Sequence, residues 1–199
     1  SFLCLTTSYP EPALPSAGRF VACLNQAFLE GGWSPKVISF QRGQQCEDEQ
    51  YKRLDKELST SSSVTRIPLS QSWQSGIPDV AQASWWRSIS LAFSTFKLNQ
   101  AYYKRYRGCS THPPVIAHWA LPCGWIARAQ QPIIYCHGGD VALLERLPIG
   151  GYLATYLSER AQRIICVSRQ LQQRWINLLD HRRAPTLSKK VLTFLIKIL

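Results

Sequence analysis

Methionine is missing from all 199 residues, position 1 included, so the sequence predicts a piece of a longer protein whose natural start lies upstream. Acidic residues are also scarce: 12 Asp and Glu face 23 Lys and Arg, a net charge of +11. From Trp85 onward the only acids are Asp140, Glu145, Glu159 and Asp180, whereas the first 84 residues are close to neutral. An excess of this size predicts an anionic partner: a nucleotide, a membrane surface or nucleic acid. No apolar run approaches the ~18 to 20 residues of a membrane span, and Ser1 to Leu5 has neither the basic flank nor the long apolar core of a secretory leader. The cysteines Cys4, Cys23, Cys46, Cys109, Cys123, Cys136 and Cys166 are odd in number and form no C-x-x-C pair. Cys4, Cys136 and Cys166 lie in apolar runs, and all seven read as reduced core thiols of a cytoplasmic protein.

Other absences narrow the chemistry. There is no G-x-G-x-x-G, no P-loop and no G-x-S-x-G elbow, which removes the common fingerprints for dinucleotides, ATP and serine hydrolysis. His118 and His137 have no carboxylate or further histidine at ligand spacing, so no metal site is expected.

What is present is an alternation. Short apolar runs at Phe2 to Thr6, Lys36 to Phe40, Val64 to Pro68, Val115 to Ala117, Ile133 to Cys136 and Arg163 to Val167 read as strands. Between and after them the spacing predicts helices from Gly18 to a stop at Gly31-Gly32, over Trp85 to Tyr106, near Gly124 to Ala129, around Tyr152 to Arg160, and over Arg169 to Leu179. The first helix shows its apolar stripe through Phe20, Val21, Leu24, Ala27 and Phe28. The long one shows it through Trp85, Ile89, Phe93, Phe96 and Tyr103. Residues 41 to 63 are a polar excursion ending in a serine-rich stretch. Strands alternating with helices imply parallel βαβ units: an α/β fold with one doubly wound, Rossmann-like parallel sheet and helices on both faces. One domain over residues 1 to 185 is expected, because the chain is shorter than the ~250 residues at which cores usually divide.

Ligands of such sheets sit at the carboxyl ends of the strands. That directs attention to Ser8 to Gly18, His118-Trp119, His137-Gly138-Gly139-Asp140 and Ser168. Gly18, at a helix start, admits close approach of a phosphate or sugar to backbone N–H groups, or is simply a cap. His137-Gly138-Gly139-Asp140 follows a strand directly, with an imidazole at the mouth, two permissive glycines and an aspartate able to cap the next helix. Gly-Gly-Asp is equally an ordinary strand-to-helix turn. Ser168 is the expected N-cap of the helix that holds Leu171 and Trp175. Arg87, Lys97, Lys104, Arg105 and Arg107 lie among tryptophans and tyrosines, a mixture that suits an anionic membrane surface as well as it suits a packed helix with a solvated basic face.

Together these segments resemble the N-terminal, acceptor-side half of a GT-B glycosyltransferase of the family 4 type. The likeness runs through Thr7-Ser8-Tyr9-Pro10, Gly18-Arg19-Phe20-Val21, Ala27 to Trp33, Ala117-His118-Trp119 with Pro122 and Gly124, His137-Gly138-Gly139-Asp140 and Ile164 to Ser168. His-Gly-x-Asp is its most specific piece.

The resemblance implies transfer of a sugar from a nucleotide-sugar to a glycan or lipid-linked acceptor with retention of anomeric configuration. His137 would be catalytic, orienting donor and acceptor. Gly18, Arg19, His118, Gly138 and Gly139 would bind them, and Asp140 and Ser168 would be structural. No metal is implied, because the family neutralises the diphosphate with Arg and Lys. Those cations, and a spaced pair of glutamates, belong to a second domain absent from this sequence. Lys190 to Phe194 resembles the strand that precedes the family's crossover, so residues 186 to 199 are expected to be an atypical end at the domain boundary. Cytoplasmic placement at the inner face of the membrane is the matching location. The alternative is a non-catalytic basic α/β module bound to a membrane or protein, and nucleic acid is the weakest anionic partner.

Overall fold

In the computed structural model the described residues are 1–12, 15–41, 53, 64–68, 85–107, 113–179, 189 and 191–193, with the side chains of 85–93, 192 and 193 outside the description. Most of the polar excursion therefore lies outside it, and the boundary segment 186–199 is described only in part. Seven strands belong to one sheet: β1 (Phe2–Leu5), β2 (Pro35–Gln41), β3 (Val64–Pro68), β4 (Val115–His118), β5 (Ile133–Cys136), β6 (Arg163–Cys166) and β7 (Val191–Thr193). Their order is β3-β2-β1-β4-β5-β6-β7, the arrangement of a Rossmann-like α/β fold with a seventh strand added. The chain divides into two compact units, Ser1–Pro114 and Val115–Leu199.

In the first unit β1 pairs in parallel with β2, Phe2 opposite Pro35 and Leu5 opposite Ile38, and β2 pairs in parallel with β3. Every residue of β1 is buried, as are Val37 to Phe40, the continuous apolar signature of a strand covered on both faces. Helix α1 (Arg19–Glu30) begins where the sequence predicts, and the Gly31 N–H closes it on the Ala27 carbonyl. Its buried side is Val21, Ala22 and Asn25, not the stripe the spacing suggested: Phe20 is 41% exposed. Asn25 reaches the Cys4 sulfur at 3.6 Å, so a polar side chain takes the place next to β1. Helix α2 (Trp85–Arg107) departs in the same way. Ser94, Leu98 and Tyr102 are buried at four-residue spacing, while Phe96 is 54% exposed. Trp85, Ile89 and Phe93 lie outside the described side chains.

In the second unit β4, β5, β6 and β7 pair in parallel, with His118 opposite Tyr135 and Cys136 opposite Cys166. Short helical turns fill Ala120 to Gln130 where one helix was expected. Helix α3 (Gly139–Arg146) precedes α4 (Gly150–Arg160), which contains the helix predicted around Tyr152 to Arg160, and α5 (Arg169–Leu178) follows β6. Leu144, Leu157, Leu171 and Trp175 are buried, and the Trp175 indole N–H donates to Ser158 Oγ at 3.0 Å. No helix among the described residues is long and apolar enough to cross a membrane.

Candidate functional site

The sites expected at strand ends fall into the two units. Gly18 follows β1 and precedes α1 with φ +65°. A Cβ there would lie 2.2 Å from the Ser8 carbonyl oxygen and 2.9 Å from the Tyr9 nitrogen. Glycine is therefore required for the loop after β1 to fold back on the start of α1. That packing accounts for Gly18 without a phosphate. Arg19, next to it, is exposed.

The second unit brings four expected residues together. His118 is the last residue of β4, and His137 follows the last residue of β5, the neighbouring parallel strand. His118 Nδ1 and His137 Nε2 stand 3.0 Å apart. The rings are within 18° of parallel, and the Tyr135 ring lies 5.2 Å from His118 on a similar plane. Trp119 closes a further side, its ring 5.0 Å from that of His137. Its backbone has φ +71°, a costly conformation for a tryptophan. The Trp119 N–H donates to the Tyr135 carbonyl at 2.8 Å, and its own carbonyl accepts from the Gly124 N–H at 3.0 Å. Backbone hydrogen bonds on both sides thus fix the strained residue against His137.

Asp140 does not cap the helix after the glycines. It sits in the first turn of α3, whose N-cap Gly138 makes no side-chain capping bond. Its carboxylate turns back instead. Oδ1 accepts the N–H groups of His137 at 3.2 Å and Gly138 at 3.0 Å, and Oδ2 accepts the Ala120 N–H at 2.9 Å. One buried anion thereby ties the loop after β4 to the loop after β5, with charge-assisted bonds of the stronger kind. Gly138 has φ +112°, with open space where a Cβ would stand. Gly139 is exposed at the start of α3, and Ser168 caps α5 as predicted, its hydroxyl accepting the Leu171 N–H at 3.1 Å.

His118 needs the clearest correction. It was expected among the ligand-binding residues, yet its side chain is completely buried, so it meets a ligand only through His137. Burial, reinforced by His137, holds its imidazole well below the ordinary histidine range. Burial also brings His137 down to about 4, against the opposing pull of the Asp140 charge. At neutral pH both rings are uncharged, and each carries one N–H.

A single proton then lies between Nδ1 of His118 and Nε2 of His137. If His118 donates it, the His137 proton is on Nδ1; if His137 donates it, His137 Nδ1 is a bare acceptor. The two tautomers are linked, and shifting them changes what half-buried His137 offers without changing net charge. A group of this kind is a poor proton store at pH 7 and a good hydrogen-bonding partner for hydroxyls, which both donate and accept.

Tyr135 was not among the expected site residues, and Trp119 was singled out at a strand end without a role. Tyr135 becomes visible only once β4 and β5 are known to be neighbours in register. Trp119 carried one signal, its place directly after a strand-ending histidine. The expected membrane-facing residues Lys97, Lys104, Arg105 and Arg107 are exposed on α2, and the Arg87 side chain lies outside the description. Among the described residues no group of three or more His, Cys, Asp or Glu is placed to hold a metal.

No family model matches the sequence, and no curated protein matches it closely. Solved structures do. The N-terminal domain of a Candida albicans trehalose-6-phosphate phosphatase is similar with a TM-score of 0.62 at 14% identity, over 96% of this chain and 47% of that one. A Listeria monocytogenes chain assigned as a UDP-N-acetylglucosamine 2-epimerase is similar with a TM-score of 0.57 at 10% identity, over 96% and 44%. Arabidopsis thaliana UGT89C1, solved with UDP-L-rhamnose, is similar with a TM-score of 0.53 at 12% identity, over 98% and 51%. At these identities the likeness shows the fold: a Rossmann-like parallel sheet with helices around it. The chain spans about half the length of these neighbours.

Proposed function

We propose that this chain supplies the acceptor-side half of a GT-B, family 4 type glycosyltransferase acting on a nucleotide-sugar, with His137 orienting the transferred sugar and the acceptor hydroxyl. The observation that carries this reading is the His118, His137 and Asp140 assembly at the carboxyl ends of two neighbouring parallel strands, where open α/β sheets bind ligands. The fold neighbours support it, since UGT89C1 was solved with a nucleotide-sugar. In this reading His137 acts as a neutral hydrogen-bonding group, because an imidazole held near 4 is too weak a base for general catalysis at pH 7. Its contribution is orientation of the reacting groups, and the Trp119 ring forms one wall for the sugar. The cations that stabilise the departing diphosphate come from a second domain.

Saturation-transfer NMR of the 199-residue chain with a panel of UDP- and GDP-sugars tests this reading. Saturation should reach the sugar-ring protons more than the base protons and should be lost in His137→Ala at an unchanged thermal midpoint. No saturation with any sugar, or an unchanged effect in the variant, would overturn the reading.

A further inference from the structure

The second unit carries a surface that the sugar site does not use. Ile149 and Tyr152 are 59% and 69% exposed, more than any other large apolar side chain among the described residues. Ile149, Tyr152, Tyr156 and Arg160 follow one another at spacings of three, four and four residues, a single stripe along α4. The opposite side, with Ala154 and Leu157, is buried. The Tyr152 ring lies 6.3 Å from Tyr156 and nearly parallel to it, and Tyr156 meets Trp125 at 5.5 Å. The guanidinium of Arg128 sits 4.5 Å above Trp125, and that of Arg160 sits 5.3 Å from the Tyr156 ring. The stripe is therefore one connected patch of rings and cations.

Its charge is positive. Among the acids between Trp125 and Arg160, Asp140 is buried under three N–H groups, and Glu145 is taken by Arg174 at 2.8 Å. Glu159 alone then flanks Arg128, Arg146 and Arg160.

We propose that this stripe is a docking surface for an anionic lipid bilayer. Tyrosine and tryptophan rings settle at the headgroup level, where one end is apolar and the other wet, while arginines reach the lipid phosphates. The exposed aliphatic end, Pro148 and Ile149, decides between partners. A nucleobase or a sugar stacks on a ring and gains little from an isoleucine, whereas the boundary between headgroups and acyl chains takes it up. The surface lies on α4 and the turn before it, not on the basic helix α2 that the sequence singled out, and it is independent of any glycosyl transfer.

Sedimentation of the intact chain with phosphatidylcholine vesicles, with and without phosphatidylserine, tests the proposal, with the total tryptophan emission followed in parallel. Binding should require phosphatidylserine, shift the emission to the blue and weaken in ~1 M salt, where the screening length falls to about 3 Å. The exposed pair Ile149→Ser and Tyr152→Ser should lower the partition coefficient about tenfold with the thermal midpoint unchanged. Lys104→Glu with Arg105→Glu, on α2, should preserve the requirement for the Ile149 and Tyr152 stripe. The proposal is overturned by absence of vesicle binding, by equal binding to both vesicle types, by wild-type partition of the serine variants, or by these variants losing only affinity for an oligonucleotide or acidic oligosaccharide.

Discussion

A histidine that stays neutral well into the acid range leaves a mark on stability. An unfolded histidine takes its proton near 6.5, whereas folded His137 holds out to about 4. Between those values the unfolded chain binds more protons, so stability is fully present above about 6.5, falls as the pH drops through this window, and stops falling from this cause below about 4. Buried His118 acts in the same direction. Thermal midpoints measured across pH 4 to 7 should show that slope, and His137→Asn should flatten it; an equal slope in the variant would place its origin elsewhere. Asp140 calls for a separate test because its two oxygens face three N–H donors. Asp140→Asn keeps the shape but turns an amide NH2 toward at least one of those donors, an expected loss of about 1 to 3 kcal/mol. A denaturation midpoint equal to wild type would show that the anion is not needed. The positions of His118, His137 and Asp140 at strand ends were legible in the sequence. Their roles were not, because spacing along the chain says nothing of which ring lies behind which, or of an aspartate that reaches back two and three residues.

Among the elements, those read best were the ones with the least freedom. A strand buried on both faces must be apolar throughout, so β1, β4 and β5 stand almost where the runs placed them. Helix α5 buries Leu171 and Trp175 as expected, whereas α1 and the described side chains of α2 have the expected extent but bury rows other than the expected stripes. On α1 the packed stripe includes Asn25 because a sulfur partner is at hand on β1, and on α2 the four-residue row through Ser94, Leu98 and Tyr102 wins over the larger Phe96. Helix α3 and its tight turn into α4 went unread because the close approach that sets the turn is not a property of local sequence. A Cβ on Gly150 would overlap the Leu144 carbonyl oxygen, so the two helices turn on a contact that only glycine permits. Gly150→Ala should therefore cost roughly 2 to 3 kcal/mol as an overpacked, backbone-against-backbone contact. Ser168→Ala, which removes only a cap, should cost about 1 kcal/mol, and Ser168→Asp should restore it. Urea midpoints for the three variants check the ranking, and Gly150→Ala as mild as Ser168→Ala would mean that the turn opens at little cost.

For the whole molecule the legible quantities were bulk ones: the parallel α/β class, the positive second half and the burial of four thiols, whereas Cys23, also expected in the core, is exposed. The placement of charge was legible only in part: the five basic residues read as one helical face all lie on α2, whereas Arg128 and Arg160, which sit over the Trp125 and Tyr156 rings, were not singled out. The thiols carry a prediction about the folded state as a whole. Cys4, Cys123, Cys136 and Cys166 are buried and free, while Cys23 is exposed on α1. Burial pushes the Cys4 thiol up to about 12 and that of Cys136 well above its ordinary value. Because the thiolate is the reactive form, both are doubly protected, by lack of access and by lack of charge. Under native conditions an alkylating reagent should modify Cys23 at the rate of a surface thiol and leave Cys4, Cys123, Cys136 and Cys166 intact, and all seven cysteines should be modified once urea unfolds the chain. Mass spectrometry of the digested protein reads each site separately. Native labelling of Cys4 or Cys136 as fast as Cys23 would mean that β1 or β5 is open to solvent, which the parallel sheet described above does not allow.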